Sequence, residues 1–344
     1  MKIIDLRSDT VTVPTDDMRQ AMYQAKVGDD VFGEDPTINK LEKLGANILK
    51  KESALFVTSG TMSNLIAVLS QTRPGDEIIL GNEAHIFWYE VGGAAALGGV
   101  VLNTITNDET GKIPLDKIEA AIRTQNIHFP TTRLLCLENT HNRCGGTVLT
   151  RDYTSAVADL AHKHGIDVHL DGARIFNAAI ALSIPASELA APADSVCFCL
   201  SKGLSAPVGS LLCGTEEFVT RARKWRKMLG GGMRQAGILA AAGIIAIEKM
   251  VERLADDHAT ARRLAKGLSG IPGITVFPEH PQTNIVMFQS PADIPPVKFL
   301  EEMNKHCVKF IPRGGHNFRA VTHRMIDEAD IDEALRRVSD MVGN

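Results

Sequence analysis

An excess of charge of either sign is what this sequence most plainly lacks. Lys and Arg number 37 against 41 Asp and Glu, a net charge of −4 over 344 residues. The chain therefore has no global electrostatic reason to bind nucleic acid, and no basic run or aromatic-interleaved basic stripe supplies a local one. It also lacks long apolar runs. The best candidate, 237–247, is too short to span a bilayer and is rich in Ala and Gly. The N-terminal segment Met1-Lys2-Ile3-Ile4-Asp5-Leu6-Arg7 has no apolar signal-peptide region. No membrane association is expected, and the cytoplasm is the expected location. Cysteine is scarce, at six: Cys136, Cys144, Cys197, Cys199, Cys213 and Cys307. None is spaced like a zinc knuckle, so the expectation is reduced thiols, mostly buried, and no metal. Internal repeats and low-complexity segments are absent.

What is present is an ordinary globular composition, 44% hydrophobic and 23% charged. The length exceeds one typical domain and implies a large unit plus a smaller one, set here at residues 1–245 and 246–344. From residue 53 to about 212, short apolar strands alternate with helical stretches. Strands are expected at 54–58, 77–80, 100–105, 134–138, 166–170, 195–200 and 209–213. Helices are expected at 62–70, near Ile86, after Pro114 and at 152–164. Such alternation predicts an α/β fold with a mostly parallel sheet covered on both faces. In such sheets chemistry gathers at the carboxyl ends of the strands. A long helix is expected over 238–265, leading into the second unit. There, 284–289 and 317–322 read as strands, and 297–307 and 331–342 as helices.

Three features fall where a strand should end. Ser59-Gly60-Thr61 opens a helix, where free N–H groups and the helix dipole favour an anion; alone it is equally well a turn. Asp171 sits in His169-Leu170-Asp171-Gly172-Ala173-Arg174, where a lone acid is often a helix cap. A metal cluster of His162, His164, His169 and Asp171 is the weaker reading, because the first two histidines end a helix that favours cations. Lys202, in Ser201-Lys202-Gly203, would be partly desolvated at the reactive edge, with a depressed pKa suited to Schiff-base chemistry. Together, a phosphate cradle, an acid and such a lysine match the needs of pyridoxal 5′-phosphate.

The sequence resembles the fold type I pyridoxal-phosphate enzymes, and within them the threonine aldolases, over nearly its whole length. The resemblance rests on Asp5-Leu6-Arg7-Ser8-Asp9-Thr10, on 28–37, on Thr58-Ser59-Gly60-Thr61-Met62 and on Glu138-Asn139-Thr140-His141. Asp171-Gly172-Ala173-Arg174, Ser201-Lys202-Gly203-Leu204 and 230–235 complete it.

The resemblance implies a role for each matched position. Lys202 carries the cofactor, and Asp171 pairs with its ring nitrogen. His85 stacks on the ring. Ser59, Gly60 and Thr61 hold the phosphate, with Arg174 and Ser201 also at the cofactor. Arg234, and Lys227 with it, reaches a neighbouring subunit's site. Ser8, Arg174 and Arg319 grip the substrate carboxylate, with Arg313 the alternative to Arg319. His128 lies near the substrate hydroxyl, though its setting between Ile127 and Phe129 equally suits a packed loop histidine. The implied reaction splits L-threonine, L-allo-threonine or a related β-hydroxy-α-amino acid into glycine and an aldehyde, in a homotetramer built from dimers. β-Elimination or transamination is the alternative. One departure is Phe32, which stands where relatives are expected to carry tyrosine.

Overall fold

The computed structural model describes residues 1–343. Strands are numbered along the chain: β1 Ile4–Asp5, β2 Ser53–Val57, β3 Glu77–Gly81, β4 Val101–Ile105, β5 Thr132–Glu138, β6 Asp167–Asp171, β7 Ser195–Cys199, β8 Ser210–Gly214, β9 Thr275–Val276, β10 Ile285–Gln289, β11 Val308–Lys309, β12 Ile311–Pro312 and β13 Asn317–Val321.

Strands β2 to β8 form a seven-stranded sheet in the order β2-β8-β7-β6-β5-β3-β4. β3 to β7 run parallel, and β8 is antiparallel to both β7 and β2. The inner parallel strands are buried on both faces, so they carry apolar runs such as 134–137, whereas β4, at the sheet edge, is partly exposed. β8 departs from the parallel pattern because the segment between it and β7, residues 200–209, holds no crossover helix. A parallel return needs a crossover of a dozen or more residues.

The expected helix 238–265 is two helices, Gly237–Lys249 and Leu254–Ser269. No Gly or Pro marks the break at 250–253. The two halves serve different cores. Ala240, Ala242 and Ala246 join Leu41, Phe198 and Leu211 against the large sheet. Ala261, Leu264 and Leu268 join Phe288, Phe299 and Phe318 against a second sheet, ordered β12-β13-β10-β9. A straight helix could not face both cores, so packing overrides local propensity. β1 pairs in parallel with β11, which ties the N-terminal segment to this second core. Among the described residues, no helix is long and apolar enough to cross a membrane.

Candidate active site

The carboxyl ends of β5, β6 and β7 lie side by side and deliver Glu138, Asp171 and, just beyond Cys199, Lys202. Gly172 lets the chain turn tightly after Asp171: a Cβ there would lie 2.5 Å from the Cys197 carbonyl oxygen. Lys202 is held by its backbone, whose carbonyl accepts from the Thr12 hydroxyl at 2.9 Å and from the Ser205 N–H at 2.8 Å. A pocket of about 300 Å³ opens here, lined by Lys202, His85, Tyr89, Ser8, Asn142 and Arg319 among others. Larger clefts of about 640 and 720 Å³ sit at the amino ends of the strands, around Asp76, Arg133 and Ile166, and include none of these groups.

Asp171 is buried and forms no direct ion pair among the described residues. Its Oδ2 accepts from Asn64 Nδ2 at 2.8 Å, and its Oδ1 from the Ala173 N–H at 3.0 Å. Burial works against its charge, but His85, Lys202 and the Asn64 hydrogen bond hold its carboxyl below the usual range. His85 opens the short helix His85–Trp88, and its N–H donates to Glu138 Oε2 at 2.7 Å. Its ring Nδ1 meets Glu90 Oε1 at 2.8 Å. Burial would lower the imidazole pKa; the Glu90 hydrogen bond, with Asp171 and Glu138 nearby, raises it instead.

The other oxygen of Glu138 accepts from the Asn142 N–H at 2.9 Å, and Asn142 Oδ1 accepts from Arg319 Nη1 at 2.5 Å. One strand-end acid thus places both an imidazole and a guanidinium. Arg319 is buried, and among the described residues it meets no carboxylate directly and its Nε has no partner. Burial first, then the neighbouring Arg174 charge, lowers its pKa to about 10. A buried cation with spare donors is a ready seat for a carboxylate.

Arg174 also lines the pocket, but its Nε and Nη2 are both bound to Asp9 at 2.7 Å. The implied carboxylate grip by Arg174 remains an expectation: the guanidinium lines the pocket while its Nε and Nη2 serve Asp9. Arg313, the alternative to Arg319, also lines the pocket and bonds the Tyr89 hydroxyl, which accepts from Arg143 at 3.0 Å as well. Ser8 lines the pocket as well and caps a short turn by accepting from the Thr10 N–H.

Ser59 caps the helix Gly60–Gln71 through the Met62 N–H at 3.1 Å. The N–H groups of Gly60 and Thr61 stand ahead of the helix's own bonding pattern. A Cβ on Gly60 would approach Cys199 Sγ to 2.9 Å, so any larger residue would push on β7 here.

His128, expected beside the substrate, does not line this pocket within the chain, and neither does Arg234, expected to serve a neighbouring subunit. His128 is exposed in the turn before β5. That turn lies at the opposite edge of the sheet, a strand length of roughly 20 Å away. Arg234 is more than half exposed and pairs with Asp29 at 3.0 Å. Lys227 and Phe32 are exposed too. The histidine cluster does not form: His162 binds Asp194 at 2.8 Å, His164 is exposed, and His169 is buried against Asn64 and Ser195. Asn64, Glu90 and Asn142 escaped the sequence reading. Glu90 alone had a signal, an acid in an apolar helical stretch just beyond His85.

The family model described as Beta-eliminating lyase matches residues 5–291. A probable low-specificity L-threonine aldolase 2 of Arabidopsis thaliana is 47% identical over 342 residues, covering 97% of this chain and 96% of the relative. The low specificity L-threonine aldolase of Escherichia coli K12 is 48% identical over 266 residues, 77% of this chain and 79% of its own. Among solved structures, the threonine aldolase of Leishmania major superposes with a TM-score of 0.84 at 21% identity, covering 98% of this chain and 99% of the other. A putative L-allo-threonine aldolase of Listeria monocytogenes gives 0.81 at 20% identity, covering 98% and 96%. The fold is therefore that of the fold type I pyridoxal-phosphate enzymes, and the chain belongs to the threonine aldolases of the Beta-eliminating lyase family.

Proposed function

We propose that this chain is a carbon–carbon lyase that cleaves L-threonine, L-allo-threonine and related β-hydroxy-α-amino acids to glycine and an aldehyde. The observation that carries the reading is a lysine, a buried acid without a direct ion pair and an un-neutralised arginine at one sheet edge. Pyridoxal 5′-phosphate fits the residues there. Asp171 is a buried acceptor suited to a ring N–H⁺, and the Gly60 and Thr61 N–H groups suit a phosphate. Lys202 would hold the group, with Ser59, Ser201 and His85 beside it. Bound there, pyridoxal phosphate supplies an aldehyde for amines and a sink for the electron pair left on the α-carbon.

The protein's part is orientation and proton handling. Arg319, helped by Ser8 and Arg313, fixes the substrate carboxylate. That grip selects which bond at the α-carbon stands in the breaking position, and placing Cα–Cβ there favours retro-aldol cleavage over racemisation. Asp171 keeps its partner nitrogen protonated. His85, or a water it holds, takes the β-hydroxyl proton. Lys202 would keep the cofactor in place between turnovers.

A homotetramer built from dimers is part of the proposal. The exposed side chains of Phe32, Val91 and Ile127 support it, as does Arg234, which is exposed and does not line its own chain's pocket. The six free thiols suit the cytoplasm.

The test is product analysis after incubation with pyridoxal phosphate and, in turn, L-threonine, L-allo-threonine and phenylserine. Glycine with equimolar aldehyde is expected. A keto acid or ammonia without glycine would replace this reading with transamination or β-elimination.

A further inference from the structure

We propose that Glu90 is a positioning residue of this site: it holds the His85 ring by Nδ1 and, through the Asn64 amide, locks that ring to Asp171. The work done by His85 rests on the aldolase reading; the contacts do not.

One oxygen, Glu90 Oε1, receives both His85 Nδ1 at 2.8 Å and Asn64 Nδ2 at 2.7 Å. The second hydrogen of the same Asn64 nitrogen goes to Asp171 Oδ2 at 2.8 Å. An amide nitrogen only donates, so Asn64 Oδ1 must face the other way. It lies 3.1 Å from His169 Nε2, whose Nδ1 lies 2.9 Å from Ser195 Oγ, and Gln71 donates to that hydroxyl at 2.9 Å. Burial drops the His169 pKa to about 4, so the ring is neutral. Its one proton then sits on Nε2, pointing at Asn64. Every hydrogen of the amide is committed, and flipping it would leave two buried carboxylates short of a donor.

The backbone holds Glu90 firmly. The helix His85–Trp88 ends where the Tyr89 N–H returns to the His85 carbonyl at 2.9 Å. The chain then reverses through Val91 and Gly92, at φ 56° and 66°. A β-branched residue in the left-handed region is strained, and such conformations persist where surrounding contacts over-determine them. The reversal sets Glu90 beside the ring five residues before it in sequence.

The local charges make this arrangement matter. Glu90 faces His85 and Asp171; the buried Cys136 thiol senses both acids, Glu138 acts on His85, and Lys202 on Asp171. Oxygens of the two acids and a ring nitrogen of His85 all lie within 4.8 Å of one another. With Nδ1 taken by Glu90, Nε2 is the ring nitrogen left for substrate. Glu90 therefore decides both which nitrogen works and how basic it is.

Two variants separate charge from geometry. Glu90→Gln keeps an oxygen acceptor for both donors and removes the charge, whereas Glu90→Ala removes both. The first readout is an imidazole ¹⁵N NMR titration of His85 in protein without added cofactor. Wild type should titrate above the ordinary histidine value, and Glu90→Gln should bind that proton ~10-fold or more weakly, the scale of losing one close opposite charge. In the loaded enzyme, the acid limb of kcat/KM for L-threonine should move to lower pH by the same amount, with KM unchanged and Glu90→Asp partly restoring wild type. An unmoved His85 titration in folded Glu90→Gln would overturn the proposal, whether or not Glu90→Ala folds. If the titration moves but the wild type makes no glycine, the aldolase reading falls and the positioning role stands.

Discussion

Arg174 and Asp9 form a closed, buried pair, with Nε and Nη2 each 2.7 Å from a different carboxylate oxygen. The pair fastens the N-terminal segment carrying Ser8 to the strand end carrying Asp171. Burial opposes the Asp9 charge, yet Arg174, with Lys202 and Arg319 adding to it, holds that carboxyl well below the usual range. Asp9→Asn leaves Arg174 buried and unpaired, and should cost about 3–5 kcal/mol at neutral pH. A depressed carboxyl contributes its stability above the unfolded value, near pH 3.9, and loses it as pH falls through the folded value. The gap between wild type and Asp9→Asn in denaturant titrations should therefore persist at pH 7 and narrow only in strong acid. A gap independent of pH would argue against the pairing.

His169 gives a slope of the same sign in a higher pH window. Burial lowers its pKa to about 4 from the model-peptide value of 6.5. The unfolded chain takes the proton first as pH falls, so this stability is whole above pH 6.5 and drains away toward pH 4. The shift corresponds to about 3 kcal/mol. His169→Gln should flatten the pH dependence of wild-type stability in that window; denaturation midpoints at pH 7.5 and 4.5 would test it.

Arg319 should govern substrate binding. Arg319→Lys loses the planar fork, and kcat/KM for L-threonine should fall by ~30-fold or more, the low end of truncating one partner of a buried charge pair. Arg174→Lys, by contrast, should act mainly on stability, because its guanidinium already serves Asp9. Equal losses of substrate affinity in the two variants would show that both grip the carboxylate.

Asp171→Asn should keep the cofactor bound yet slow glycine formation by ~10²–10³-fold, the scale of removing one preorganised electrostatic contact. Absorbance of the loaded protein, read beside turnover, separates the two effects. Unchanged turnover would count against an acid partner for the ring.

Much of the scaffold could be read along the chain because its signals are local. Apolar runs punctuated by turns mark β2 to β8, and the residues just past β2, β6 and β7 are where Gly60, Gly172 and Lys202 stand. Interactions between distant residues left no such trace. Asn64 lies on a helix and Glu90 beyond another, and nothing local says that they meet beside Asp171. By strand alternation His169 and Asp171 share a face, but only the folded chain puts an amide between them. The break at 250–253 has no local signal because it comes from two separate cores, and nothing local says that the exposed turn bearing His128 stands at the far edge from Lys202 within the chain.

One measurement bears most directly on Lys202. The protein is loaded with pyridoxal phosphate, reduced with borohydride, digested and mapped by mass spectrometry. A single pyridoxyl adduct on the peptide bearing Lys202 is the expected result, and Lys202→Ala should show neither adduct nor glycine formation. An adduct confined to another lysine, or full turnover by Lys202→Ala, would contradict it.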